Sequence, residues 1–414
     1  MLLDGVVLAA SAALLQVVFT IYLVPIAALI LKERRNLTRQ RTSRTCVSKR
    51  LRVGVLIPLY REGPESVLKT LKSVAKQTYD KSLMRVYLII EDHDGDTEES
   101  VKQVRSYLRK SKIRYRVIRV NSSRKYGKAE ALNEALKHLR GEDFVVIFDA
   151  DDEVPPNYIE EVASEMCSGA SAVTTKVYRV GSGLHAKLLT LDTLFWYDVI
   201  LPALTNLSRY VPLSGEGLAV TTEFLKKIGG FPKVLTEDAY LVLKLAESRS
   251  NLSYLSETFI IEKAPKSLYY HLKQRLRWFQ GYYQCLAELS KKLGKLGMKE
   301  VVTLLISYAS PIAAIATLIS DVIFLTYWAA YLARSLNVLG AITAMYPPPI
   351  FYWGLALLVI GNLLLIYLLL YTLADSRFEK YSPYVLLMPL YWLLNGLVAV
   401  AALVAPREWR KTVR

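Results

Sequence analysis

The stretch Val145-Val146-Ile147-Phe148-Asp149-Ala150-Asp151-Asp152-Glu153 decides how this chain is read. Four apolar residues in succession match a strand buried on both faces, the pattern of a parallel sheet in an α/β domain. The run then passes directly into carboxylates. Side chains of an extended chain alternate, so Asp149 and Asp151 are expected on one side of the strand's exit. Ligands of open α/β sheets bind at that carboxyl end. Two aligned carboxylates suit Mg²⁺ or Mn²⁺, held by few protein oxygens plus a substrate diphosphate. An acidic turn in solvent has the same composition, so the rest of the chain decides between the two.

Outward from this stretch, residues 52–263 alternate short apolar strands with amphipathic helices. Val53 to Pro58, Val86 to Ile90 and Tyr115 to Val120 are further strands, the last polar enough for a sheet edge. Ser66 to Gln77 carries Val67, Leu68, Leu71 and Val74 on one helical face, with Lys69, Lys72 and Lys76 off it. Gly127 to Leu139 is expected as a second helix. Strands alternating with helices mean βαβ units and a mostly parallel sheet.

Hydrophobic residues make up 52% of the 414, and the excess lies in blocks near the two ends. Val6 to Leu31 is 26 uncharged residues, enough to span a bilayer with some tilt, and is expected as an uncleaved anchor. Lys32, Arg34, Arg35, Arg39, Arg41 and Arg44 follow it, which puts that side in the cytosol. Val301 to Leu332, with Pro311 as a break, Pro349 to Leu373, and Pro383 to Ala405 are the other apolar blocks. Asp321 is expected to face protein or a polar cavity. Single crossings by each block leave the tail, with Arg407, Arg410, Lys411 and Arg414, outside, against the positive-inside rule. Leu184 to Leu207 is apolar but broken by His185, Lys187, Asp192 and Asp198, and reads equally as an interfacial helix or a core helix. The net charge of +16 sits beside these blocks, which favours anionic membrane lipid over nucleic acid as partner. Cys46, Cys167 and Cys285 lack disulfide or zinc spacing and fit a reducing compartment.

A series of short motifs runs through the middle in order: Ile57-Pro58-Leu59-Tyr60-Arg61-Glu62, Glu91-Asp92-His93-Asp94-Gly95, Gly127-Lys128-Ala129-Glu130-Ala131-Leu132-Asn133, Asp149-Ala150-Asp151, Leu213-Ser214-Gly215-Glu216-Gly217, Ile228-Gly229-Gly230-Phe231-Pro232, Thr236-Glu237-Asp238 and Gln274-Arg275-Leu276-Arg277-Trp278. Each alone is weak. Together, over about Val53 to Trp278, the series resembles the inverting glycosyltransferases of family 2, in the membrane-embedded branch containing cellulose and hyaluronan synthases. It departs from that pattern at Arg61, where Asn is common, and at His93, which leaves the register of Asp92 and Asp94 open.

The resemblance implies a GT-A, Rossmann-like catalytic domain over 52–265 on the cytosolic side of a multi-pass membrane protein. It would carry a transmembrane anchor (1–35), an amphipathic interfacial helix (266–298) and C-terminal membrane helices (299–414), about four spans in all. Tyr60, Glu62 and Asp92 would then contact the nucleotide, the carboxylate of Asp92 accepting from a base ring N–H. Lys128, near a helix N-terminus, would meet a phosphate. Asp149 and Asp151 would hold Mn²⁺ or Mg²⁺ against the departing diphosphate. Asp238 would be the general base, and Glu237 would orient its neighbours. Gln274, Arg277 and Trp278 share one helical face, where Arg277 would grip the diphosphate and Trp278 stack on an acceptor sugar. With few spans available for a polymer channel, the expected reaction is transfer of one hexose, mannose from GDP-mannose, to a lipid-linked glycan acceptor. A processive polysaccharide synthase using UDP-sugars is the second expectation, since the Gln274–Trp278 motif is most familiar from such enzymes.

Overall fold

Aliphatic, β-branched runs build one sheet from β1 (Val53–Leu59), β2 (Met84–Glu91), β3 (Arg114–Val120), β4 (Phe144–Ile147), β5 (Ala172–Val180), β6 (Ala219–Thr221) and β7 (Leu252–Lys263). A computed structural model describes residues 50–121, 127–319, 322, 363–374 and 376–407. The strand order is β3-β2-β1-β4-β6-β5-β7. β1 runs parallel to β2 and β4, and β2 parallel to β3. β6 is antiparallel to β4 and β5, and β5 is parallel to β7. The first four strands lie where the apolar runs place them, and β3, with Arg114, Arg116 and Arg119, is at the edge. The last three are hidden from periodicity. β6 has three residues, and β5 and β7 carry Lys176, Arg179, Glu257 and Glu262 among their apolar positions.

The helix Pro64–Ala75 buries Val67, Leu71 and Val74, starting two residues earlier than its hydrophobic pattern because proline suits the first helical turn. Helix Gly95–Lys110 begins at Asp94, whose carboxylate accepts from Thr97 N–H at 3.2 Å and from the Thr97 hydroxyl at 2.6 Å. The same carboxylate takes the Arg61 N–H, so one buried acid ties the loop after β1 to the helix after β2.

Two helices among the described residues are long and apolar enough to cross a membrane, Leu184–Thr205 and Glu379–Val404. Met298–Tyr308 and Ser310–Ile319 form a pair bent by 54°, the break falling just before Pro311 as expected. The count of four spans is therefore not reached among these residues. Val6 to Leu31 and its basic flank, Asp321, parts of the 301–332 and 349–373 blocks, and Arg410, Lys411 and Arg414 lie outside them. Leu184–Thr205 resolves toward the core: it packs on β5, and Asp198 binds Lys176 Nζ at 2.7 Å and Tyr178 OH at 2.8 Å. The segment before Glu379–Val404 lies on the catalytic domain, with Phe378 against Tyr178 at 5.2 Å and Arg377 over Phe259 at 4.2 Å. Cys167 is disulfide-bonded while Cys285 is a free, buried thiol, which corrects the expectation of isolated cysteines. Sequence spacing registers only short-range pairings, and cysteine usage therefore does not identify a reducing compartment.

Asp94→Ala is expected to lower stability by about 2 kcal/mol, the combined cost of a lost helix cap and an unsatisfied loop N–H. Thermal denaturation of the full chain measures this; an unchanged melting temperature removes Asp94 as the tie.

Candidate active site

Because β2, β1 and β4 are parallel and adjacent, their carboxyl ends lie side by side, and Asp92, Tyr60 and Asp149 each follow one of them. Arg61 takes a left-handed φ of 53°, a conformation that asparagine tolerates better, which gives the departure at this position a physical meaning. Glu62 N–H donates to Thr97 Oγ1 at 2.9 Å, and the Tyr60 ring meets His93 edge-on at 6.0 Å. Asp92 is exposed, whereas Asp94 is consumed in capping.

β4 stops at Ile147, so Asp149 to Asp152 form a turn and strand alternation does not set their directions. The turn is pinned from both sides: Asp149 N–H donates to Asp152 at 2.7 Å, and Thr70 Oγ1 donates to Asp149 O at 2.9 Å. Lys128 Nζ donates to Asp149 Oδ1 at 2.9 Å. Burial works against the lysine's charge, but Asp149, Glu237 and Glu216 outweigh it and hold the ammonium protonated.

β6 carries the next residues to the same place. Ile147 N–H donates to Leu218 O at 2.9 Å and Gly217 N–H donates to Ile147 O at 2.8 Å, laying residues 214–217 against the end of β4. Carboxylate oxygens of Asp149, Glu216 and Glu262 come within 4.8 Å of one another. This is a set of hard oxygen donors of the kind a divalent cation takes. Asp151, the expected second metal ligand, is buried but is not in that set. Arg179 enters the cluster from β5, donating to Glu216 Oε2 at 3.1 Å and pairing with Glu262 through Nε.

Asp238 lies in the first turn of helix Glu237–Glu247. A Cβ on Gly215 would stand 3.3 Å from both Asp238 Oδ2 and Lys128 Nζ, so the absent side chain leaves room for the acid and the lysine to converge there, and any Cβ would push them by a few tenths of an ångström. Burial first, then the charges of Glu237 and Glu216, push Asp238 up to about 7. Asn133 supports this geometry by exchanging two hydrogen bonds with Phe231, at 2.7 and 2.8 Å, which ties the Lys128 helix to the loop entering Thr236-Glu237-Asp238.

Helix Leu268–Ser290 crosses that loop closely: a Cβ on Gly281 would meet Thr236 Oγ1 at 2.3 Å. Gln274 Oε1 and Arg277 Nε are buried without hydrogen-bond partners among the described residues. Trp278 lies beneath two guanidiniums, Arg179 at 4.7 Å and Arg275 at 5.0 Å from its ring centroid. Stacking on a sugar would require one of these cations to move. Arg275 itself binds Asp192 and Tyr391 OH, the latter at 3.0 Å.

The family model described as glycosyltransferase-like family 2 matches residues 50–281. The chain belongs to this family. As a family 2 member it is 30% identical over 272 residues to the UDP-forming cellulose synthase catalytic subunit of Pseudomonas fluorescens, across 60% of this chain and 33% of that protein. The chain thus spans about a third of that relative's length. It is 24% identical over 360 residues to the poly-beta-1,6-N-acetyl-D-glucosamine synthase of Staphylococcus epidermidis, across 84% of this chain and 82% of that one. A mannosyltransferase from Pyrobaculum calidifontis, solved in complex with GDP-Man and Mn²⁺, superposes with a TM-score of 0.62 at 20% identity, covering 94% of this chain and 99% of that one. That likeness establishes the GT-A fold.

Arg179 and Glu262 escape a reading by motif because each sits singly in a strand with no spacing to announce it. A charged residue inside an otherwise apolar strand is the signal that could have found them, since a buried charge needs a partner. Glu216 was visible only as part of the glycine turn.

A base that must be ionised makes the rate rise with pH through about 7, and fall roughly tenfold per unit below it. A pH–rate profile rising instead near 4, the ordinary carboxylate range, would detach Asp238 from the rate. Gly215→Ala is expected to cut turnover while leaving the melting temperature near wild type; equal turnover would mean that the Lys128–Asp238 approach is not used.

Proposed function

We propose that this protein transfers a single hexose, mannose from GDP-mannose, to a lipid-linked glycan acceptor by one inverting displacement. The observation that carries the reading is the convergence of Asp238 and the Lys128–Asp149 pair on the side-chain face of Gly215. Asp238 takes the proton from the acceptor hydroxyl as its oxygen attacks the anomeric carbon, and the nucleoside diphosphate leaves from the opposite face. Glu216 and Glu262 are engaged by Arg179, so neither is placed as a second, nucleophilic carboxylate, and one displacement inverts the centre. Lys128 and Arg277 bring positive charge to the leaving diphosphate, and Gln274 offers its unpaired oxygen to the donor. Asp92, Tyr60 and Glu62 line the nucleotide end. Asp149, with Glu216, Glu262 or the neighbouring Asp151, would hold Mn²⁺ or Mg²⁺, which supplies charge neutralisation to the departing diphosphate. The GDP-Man and Mn²⁺ bound by the Pyrobaculum mannosyltransferase support the choice of donor and metal.

The processive reading has its own support in the Staphylococcus synthase, which aligns along 82% of its length. Product size separates the two: one added sugar per acceptor favours the first, a ladder the second.

Thermal stabilisation by GDP and by UDP, each with and without Mn²⁺, tests donor and metal together, because a ligand bound by the folded state raises apparent stability. A metal-dependent shift with GDP is expected; a shift with UDP alone replaces the donor, and none with either removes the site. Asp149→Ala is expected to lose the metal-dependent part. Asp151→Ala losing it instead moves the metal to the Asp149–Asp151 pair. Asp238→Asn should abolish transfer while GDP affinity stays within a few fold; an active variant places the base elsewhere.

A further inference from the structure

β5 ends one residue beyond Arg179, and the chain then enters Gly181, Ser182 and the helix Leu184–Thr205. Here, next to the acid cluster in sequence but facing different residues, lies a cavity of about 430 Å³ lined by Gly181, Ser182, Lys187, Lys380, Tyr381 and Tyr384. Its two lysines come from segments almost two hundred residues apart, and among the described residues neither pairs with a carboxylate. Lys187 Nζ is held in place by the Tyr384 hydroxyl at 2.6 Å, and Lys380 Nζ lies 5.4 Å from the Tyr381 ring centroid. The depression is open, with Ser182 and Lys380 exposed, and two ammonium groups lining one side of it favour an anion there.

The position of this depression along the apolar helix says which anion. Lys380, Tyr381 and Tyr384 belong to the first turns of Glu379–Val404, the more apolar of the two span-length helices, with mean hydropathy 1.9. Only two residues beyond Tyr384, Leu386 is 70% exposed, and Leu390, Leu397, Leu403 and Val404 continue that apolar face. Lys and Tyr immediately before such a face stand at headgroup level. A phosphate entering here would be carried on a lipid, and its ester oxygens would meet Lys187, Lys380 and the Ser182 hydroxyl.

We propose that this cavity holds the phosphate of a lipid headgroup, the anionic end of the lipid-linked acceptor; this rests on the lipid-linked acceptor reading above. Neither lysine takes part in donor binding or in the proton transfer.

The test uses the full chain in neutral phosphatidylcholine nanodiscs and the double variant Lys187→Gln/Lys380→Gln. Polyprenyl phosphate binding is expected to weaken roughly tenfold or more, the worth of losing charge-assisted contacts, with GDP affinity unchanged. Inorganic phosphate is expected not to compete at the same concentration. Equal polyprenyl phosphate binding by variant and wild type overturns the proposal, and so does competition by inorganic phosphate as effective as that by the lipid, which would mark a free-anion site. Transfer assays separate the two claims. Wild type binding polyprenyl phosphate through these lysines yet glycosylating no lipid-linked acceptor leaves the cavity standing and sinks the acceptor reading. Transfer to such an acceptor with an unchanged acceptor KM in the double variant does the reverse.

Discussion

Crowded, largely buried carboxylates constrain everything around them. Asp149, Glu216 and Glu262 bring their oxygens within 4.8 Å of one another, and Glu237 and Asp238 stand close enough to raise the proton affinity of Asp238. Like charges at that spacing are tolerable only with cations among them. Lys128 and Arg179 supply two; burial first, and then the negative charge of Glu237 and Glu216, raises the proton affinity of Asp238, and the remaining carboxylates make the cluster receptive to a divalent cation.

Holding such a cluster together takes rigid backbone, and the structure recruits several short-range devices for it. Asp152 and Thr70 fix the turn of Asp149. Asn133 locks the helix of Lys128 to the loop before Asp238, and Gly281 lets the helix of Gln274 and Arg277 approach Thr236. Two residues of the motifs, Asn133 and Asp94, hold backbone in place: Asn133 bonds Phe231, and Asp94 caps a helix and takes the Arg61 N–H. Positioning of this kind matters because a small displacement of reacting groups is costly to rate.

The same helix, Leu268–Ser290, also joins the catalytic domain to the span-length helix Glu379–Val404. Arg275 reaches Asp192 on one side and Tyr391 OH on the other, Tyr391 OH bonds His271 Nε2 at 3.0 Å, and Trp392 Nε1 donates to Asp192 at 3.4 Å. Burial, with Arg275 adding to it, pushes His271 down to about 2, so its imidazole stays neutral in this network. Helix Leu268–Ser290 and the apolar helix are thereby tied together through Arg275, Asp192, Tyr391 and His271.

Local patterns were enough to establish the first half of the sheet, the helices beside it and the motif residues at its edge, because period-two and period-3.6 hydrophobicity and helix-start chemistry act over a few neighbours. Asp149 was singled out by the apolar run that ends in carboxylates, and Lys128 and Asp238 by the resemblance of their motifs to those of family 2 enzymes. The partners of those residues were not. Arg179, Glu216 and Glu262 converge only through the antiparallel insertion of β6 between β4 and β5 and the parallel pairing of β5 with β7. The separation of Asp92 from Asp94, the cover over Trp278, the disulfide at Cys167 and the two-lysine cavity likewise depend on residues far apart in sequence. Such contacts are decided by strand pairing and the packing of distant elements, a free energy of the whole fold that no local run of residues encodes.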